Sequence, residues 1–87
     1  WSDRTPKEKV TAFMQFYNSE YKDTKNVIAN PQATSAQKEV AQKKLELLKK
    51  LYKAIKAYDD IVVQGQIPAL DLEQTIINII NTVGGQL

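Results

Sequence analysis

The chain has 87 residues, 43% hydrophobic and 25% charged, which is room for one domain and too ordinary a composition for a disordered or low-complexity tail. Its 12 basic and 10 acidic residues leave a net charge of +2, too balanced to imply a polyanionic partner by bulk charge. Cysteine and histidine are absent, which removes disulfide frameworks, thiolate metal sites, most zinc and haem ligation, and catalysis by Cys–His or Ser–His–Asp sets.

The basic residues are lysines except for Arg4. Arginine forks onto guanine and phosphate in a bidentate way that lysine does not, so nucleic acid is not the expected partner. The longest apolar run is three residues, Ile61-Val62-Val63, against the ~18 that a membrane-spanning helix needs. The chain opens at Trp1 without a Met and is read as a single helical domain, a processed form or part of a longer chain.

Proline and glycine divide the chain into three helical segments, with Pro near the starts and Gly near the ends. The first is predicted from about Pro6 to Ala29. Thr5-Pro6-Lys7-Glu8 fits a capping box, in which the Thr5 hydroxyl takes a backbone N–H and Glu8 reaches back to the Thr5 N–H. Val10, Met14, Tyr17, Tyr21, Thr24 and Ile28 recur at alternating spacings of four and three, and Phe13 widens that face. Asn30-Pro31 closes the segment, because a residue before proline avoids the α region.

The second helix is predicted from about Ser35 to Val63, with Thr34 and Gln37 as another capping box. Ala41, Lys44, Leu48, Leu51, Ile55, Tyr58 and Val62 form its apolar seam. A flanking stripe of Val40, Leu47, Ala54 and Ile61 broadens the arc on one side, and Leu45 and Tyr52 extend it on the other. So wide an arc suits a helix with two neighbours. Gly65 is the expected stop.

The third helix is predicted from about Leu72 to Val83. Asp71 is the expected N-cap, with Gln74 at the third position, and Gly84-Gly85 the expected end. Gln86-Leu87 is expected to fray. The isoleucine content favours a strand by propensity, but Ile-Ile-Asn-Ile-Ile-Asn repeats every three residues rather than every two, and so reads as helix.

The short loop over residues 30–34 makes the first two helices antiparallel. Folding about it pairs residues whose numbers sum to about 65: Val10 with Ile55, Met14 with Leu51, Tyr17 with Leu48, Tyr21 with Lys44, Thr24 with Ala41. The fold class is therefore all-α, a three-helix bundle in which the third helix folds back along the second and covers the groove of a long hairpin.

Lys38, Lys43, Lys49, Lys50, Lys53 and Lys56 lie within roughly 140° on the second helix. Such a face is either the solvated back of an amphipathic helix or a docking face for an anionic partner, a nucleic acid backbone or a membrane surface. Lys38, Lys49, Lys53 and Lys56 are its partner-facing candidates. Aromatic side chains among these lysines would favour nucleic acid, but Tyr52 and Tyr58 fall on the apolar arc.

Lys44 occupies a seam position, where it snorkels or lies over Tyr21. Asp59-Asp60 sits near a helix C-terminus, where the dipole disfavours acids; either Arg4 and Lys7, brought near by the hairpin register, pair with them, or they are a partner-facing acidic spot. Phe16 and Val27 lie off the main seam of the first helix. They pack beneath the third helix or, with Ile77, form an exposed partner or dimer surface. Trp1 has no periodic role, and packing on the end of the bundle is one reading of it.

Glu8, Glu20, Asp23, Glu39, Glu46 and Glu73 read mainly as polar-face residues, with Glu39–Lys43 and Glu46–Lys50 at ion-pair spacing. No phosphate-cradling glycine loop and no zinc or calcium motif occurs, so no catalytic residue, metal, cofactor or small-molecule substrate is expected, nor room for a deep pocket.

The length, the lysine-rich helices and the absence of catalytic residues resemble the small helical immunity proteins that bacteria make against their own bacteriocins. The likeness is one of composition and architecture, and carries over no site residue. The expected function is a non-catalytic protein–protein interaction or assembly domain acting on a protein partner or a second copy. The electrostatic binder and the immunity-type inhibitor stand as alternatives.

Overall fold

The computed structural model describes residues 3–85, so Trp1 and the Gln86-Leu87 pair lie outside the described residues. The described chain is an all-α three-helix bundle: α1 Pro6–Ala29, α2 Ser35–Val63 and α3 Leu70–Gly85. Helix α1 packs on α2, and α2 on α3.

The first two helices start and stop where the sequence places them. Both capping boxes form. The Glu8 N–H donates to the Thr5 hydroxyl at 3.2 Å and the Thr5 N–H to Glu8 Oε1 at 2.9 Å. Thr34 and Gln37 repeat the exchange at 3.1 and 2.9 Å. These bonds satisfy N–H groups that a helix start leaves unpaired. Between α1 and α2, Asn30 takes an extended conformation and its side chain accepts the Gln32 N–H at 2.9 Å.

At the other end of α2, Gly65 adopts φ +79° and the chain reverses there. The Gly65 N–H donates to the Val62 carbonyl at 2.9 Å and the Gln66 N–H to the Ile61 carbonyl at 3.1 Å, the paired bonds of a Schellman stop. A side chain at position 65 would be strained in this left-handed conformation.

Helix α3 departs from expectation at both ends. It begins at Leu70, two residues early, and the Ala69 carbonyl accepts the Leu72 and Glu73 N–H groups at 3.2 and 3.3 Å. Asp71 is therefore no N-cap. It lies in the first turn, where its charge complements the helix dipole. Gly84 and Gly85, the last described residues, are themselves helical, and neither has positive φ. Gly84 lies alongside the Phe16 ring, which a β-carbon at position 84 would meet at 3.7 Å.

Phe13, Leu48, Leu51, Ile55, Tyr58, Ile76, Ile80 and Val83 form one buried cluster. Phe13 and Tyr58 meet edge to face at 5.7 Å. The expected seam residues do line the hairpin, but the large rings reach along it. Tyr17, paired with Leu48 by simple register, meets the Tyr52 ring at 5.3 Å, one turn further on, and Tyr21 stacks on Tyr17 at 5.6 Å.

The molecule measures 47 × 19 × 19 Å. At 1.5 Å per residue, the 29 residues of α2 span about 44 Å and the 16 of α3 only about 24 Å. Helix α3 thus covers part of the hairpin and not its whole groove. The base of the molecule has three helices and the tip has two.

Candidate functional site

Contacts with α3 identify which face of each long helix it occupies. On α1, Lys9 Nζ donates to Glu73 Oε1 at 2.8 Å, and Phe16 lies beside Gly84. On α2, the Tyr58 hydroxyl donates to the same Glu73 oxygen at 3.0 Å, and Leu47 and Ala54, which pack against the core, lie within about 40° of Tyr58 at 100° per residue. Helix α3 therefore runs from the base toward the tip, alongside α1.

The same faces continue beyond the end of α3. Val27 lies eleven residues after Phe16, and Val40 seven before Leu47; at 100° per residue each is within about 20° of its counterpart. Between them the tip holds an open cleft of about 470 Å³, with Val27, Val40, Ala36 and Ala33 on its apolar walls. Thr24 and Ala41, both buried, line it where the two helices meet. Val40 is 38% exposed. The cleft is the continuation of the groove that α3 fills at the base.

Its rim is polar and divided by helix. Glu20 and Asp23 stand on the α1 side and Lys44 on the α2 side. Among the described residues none of these three is in an ion pair. Ion pairs among the described residues include Lys9–Glu73, Lys43–Glu39 at 3.9 Å and Lys49–Glu46 at 3.8 Å. Glu46 thus takes Lys49 rather than Lys50. Asp59 and Asp60 are in none of these three pairs.

The residues singled out from sequence separate into three places. Phe16 and Ile77 are half-buried and pack against the core at the base, while Val27 belongs to the tip cleft, so these three do not make one surface. Lys49, Lys53 and Lys56 are exposed and Lys38 is half-buried. Tyr52, expected on the apolar arc, is 42% exposed on the face away from α3, where it borders a shallow depression with Val10, Met14 and Lys56.

Sequence reading missed the polar clasp at the base. Glu73 is not on a polar face: its side chain is 16% exposed and that of Lys9 is 11%. The hydrogen bond from Lys9, aided by that from Tyr58, holds the Glu73 carboxyl below its ordinary value against the opposing effect of burial. Burial, with the Glu73 hydrogen bond and charge, pushes the Tyr58 hydroxyl up to about 12. The available signal was that Lys9 lies seven residues before Phe16, on the stripe that faces α3.

Among the described residues no group of three or more carboxylates could hold a metal ion, and no helix is long and apolar enough to cross a membrane. Neither the protein-family models, nor the curated proteins, nor the solved structures contain a match to this chain.

Proposed function

We propose that this chain is a non-catalytic protein-interaction domain that engages its partner through the tip of the α1–α2 hairpin. The observation behind this reading is the groove itself. It has apolar walls along its length, and α3 fills only its base. A groove that receives a helix at one end continues its apolar walls to the other. The immunity-type reading is the special case in which the partner is a toxin.

The electrostatic reading rests on Lys49, Lys53 and Lys56 and has less behind it. Lys43 and Lys49 are paired with acids of their own helix, as on an ordinary solvated face.

A photo-crosslinking residue at Val40, compared with one at Lys53, tests the choice in cells that make the protein. The expected result is a discrete adduct from position 40 that disappears when Val27→Asp is added. Adducts from position 53 alone, lost in high salt, would replace this reading with the electrostatic one.

A further inference from the structure

We infer that the tip cleft takes a single amphipathic helix of another protein, carrying a basic residue on the edge that meets α1 and an acidic residue on the edge that meets Lys44. This rests on the tip-docking reading above and adds the chemistry of the partner.

The base of the molecule provides the template. There the groove holds a helix whose Ile76, Ile80 and Val83 are buried. That helix makes one charge pair with the α1 wall, between Lys9 of the wall and Glu73 of the inserted helix, and the same Glu73 oxygen also accepts the Tyr58 hydroxyl of α2. At the tip the α1 wall has the opposite sign. Glu20 and Asp23 stand where a cation is needed, and neither finds one among the described residues. Lys44, half-buried on the facing wall, is in the same position with respect to an acid.

The inversion also separates the two ends of the groove. A helix with an acid that reaches the α1 wall, as Glu73 of α3 does, meets Lys9 at the base and would meet Glu20 and Asp23 at the tip. Opposite signs at the two ends keep α3 in place and admit a helix of the other polarity beyond it.

Two other occupants fit less well. A second copy laid tip to tip, so that the two α3 helices stay apart, sets Glu20 and Asp23 of each chain against the same residues of the other. A nucleic acid would bring phosphates to the same two acids.

The probe is a synthetic peptide of residues 70–85 bearing Glu73→Lys, with the unchanged peptide as control. Both are titrated into the full chain by fluorescence anisotropy at low and moderate salt. The Glu73→Lys peptide should bind about tenfold more tightly, because one edge charge passes from repelling two acids to attracting them. The preference should shrink with salt and reverse on the Glu20→Lys/Asp23→Lys chain. Should that chain fail to keep its helical circular dichroism, Lys44→Glu with a peptide bearing an added edge acid gives the same comparison.

Equal binding of the two peptides at the tip would sink the charge assignment and leave tip docking standing. Absence of binding by either peptide overturns the inference as well, and the Val40 adduct then decides separately whether the tip docks a protein at all. A salt-independent dimer in sedimentation equilibrium, abolished by Val40→Asp, would put a second copy in the cleft instead.

Discussion

The two ends of this molecule are built from the same two helices and differ in what lies across them. At the base, α3 closes the groove and the side chains are large: Phe13, Leu48, Leu51, Ile55 and Tyr58 are essentially inaccessible to solvent. At the tip, the buried residues are Thr24 and Ala41, and Val40 remains 38% exposed. A continuous apolar stripe is therefore no proof of a continuous core. What buries a stripe is the length of the element laid on it, and α3 is about 20 Å shorter than α2.

The largest expected effect is at the base. Phe13→Ala removes a fully buried ring that packs edge to face on Tyr58, and should cost about 3–5 kcal/mol in urea unfolding. A loss below about 1 kcal/mol would mean that the base is no better packed than the tip.

Glu73→Gln comes next. It leaves the Lys9 ammonium beside a neutral amide in a largely buried setting and should cost about 1–3 kcal/mol. If the clasp belongs to the base alone, amide exchange in α3 should accelerate while protection of residues 20–44 stays unchanged.

The same clasp sets the pH response. Glu73 has its pKa lowered in the folded chain, so its contribution is present above the ordinary carboxylate pKa and is lost as pH falls through the depressed folded value. Tyr58 is raised from 10.0 to about 12, so its contribution is full below the ordinary phenol pKa and disappears as pH rises through the folded one. Unfolding midpoints measured from pH 2 to 12 should therefore fall at both extremes, and Glu73→Gln should flatten the acid limb.

The smallest effect belongs to the tip. Val40→Ala should change stability by less than about 1 kcal/mol, since much of the side chain already faces water. A loss comparable to that at Phe13 would show that the tip is a core in its own right and no cleft for a partner.

Most of the fold was legible in the sequence because its signals are local. Both capping boxes, Pro6 and Gly65 act over three or four residues, and they delimit α1 and α2 as observed. The ends of α3 were misjudged for the same reason. Leu70 starts the helix on a backbone carbonyl with no side-chain cap to announce it, and Gly84 stays helical against Phe16 where glycine alone reads as a stop. The Lys9–Glu73 pair spans 64 positions and follows no periodicity until α3 has been placed. The stripes of Val40, Leu47, Ala54 and of Phe16, Val27 did mark the groove, but not how much of it α3 would cover.

The Schellman stop at Gly65 and the loop at residues 30–34 make the path of the chain two successive reversals, each joining helices that are neighbours in sequence. Such a topology asks little of chance encounter, and either reversal can close before the other. The bond between Lys9 and Glu73 is different, since it joins the first helix to the third and needs both reversals in place. It is therefore expected to form late in assembly, so loosening it should hasten unfolding while leaving the refolding rate nearly untouched, which stopped-flow kinetics of Glu73→Gln would show. The clasp that orders the base is in that sense a latch on an already folded hairpin.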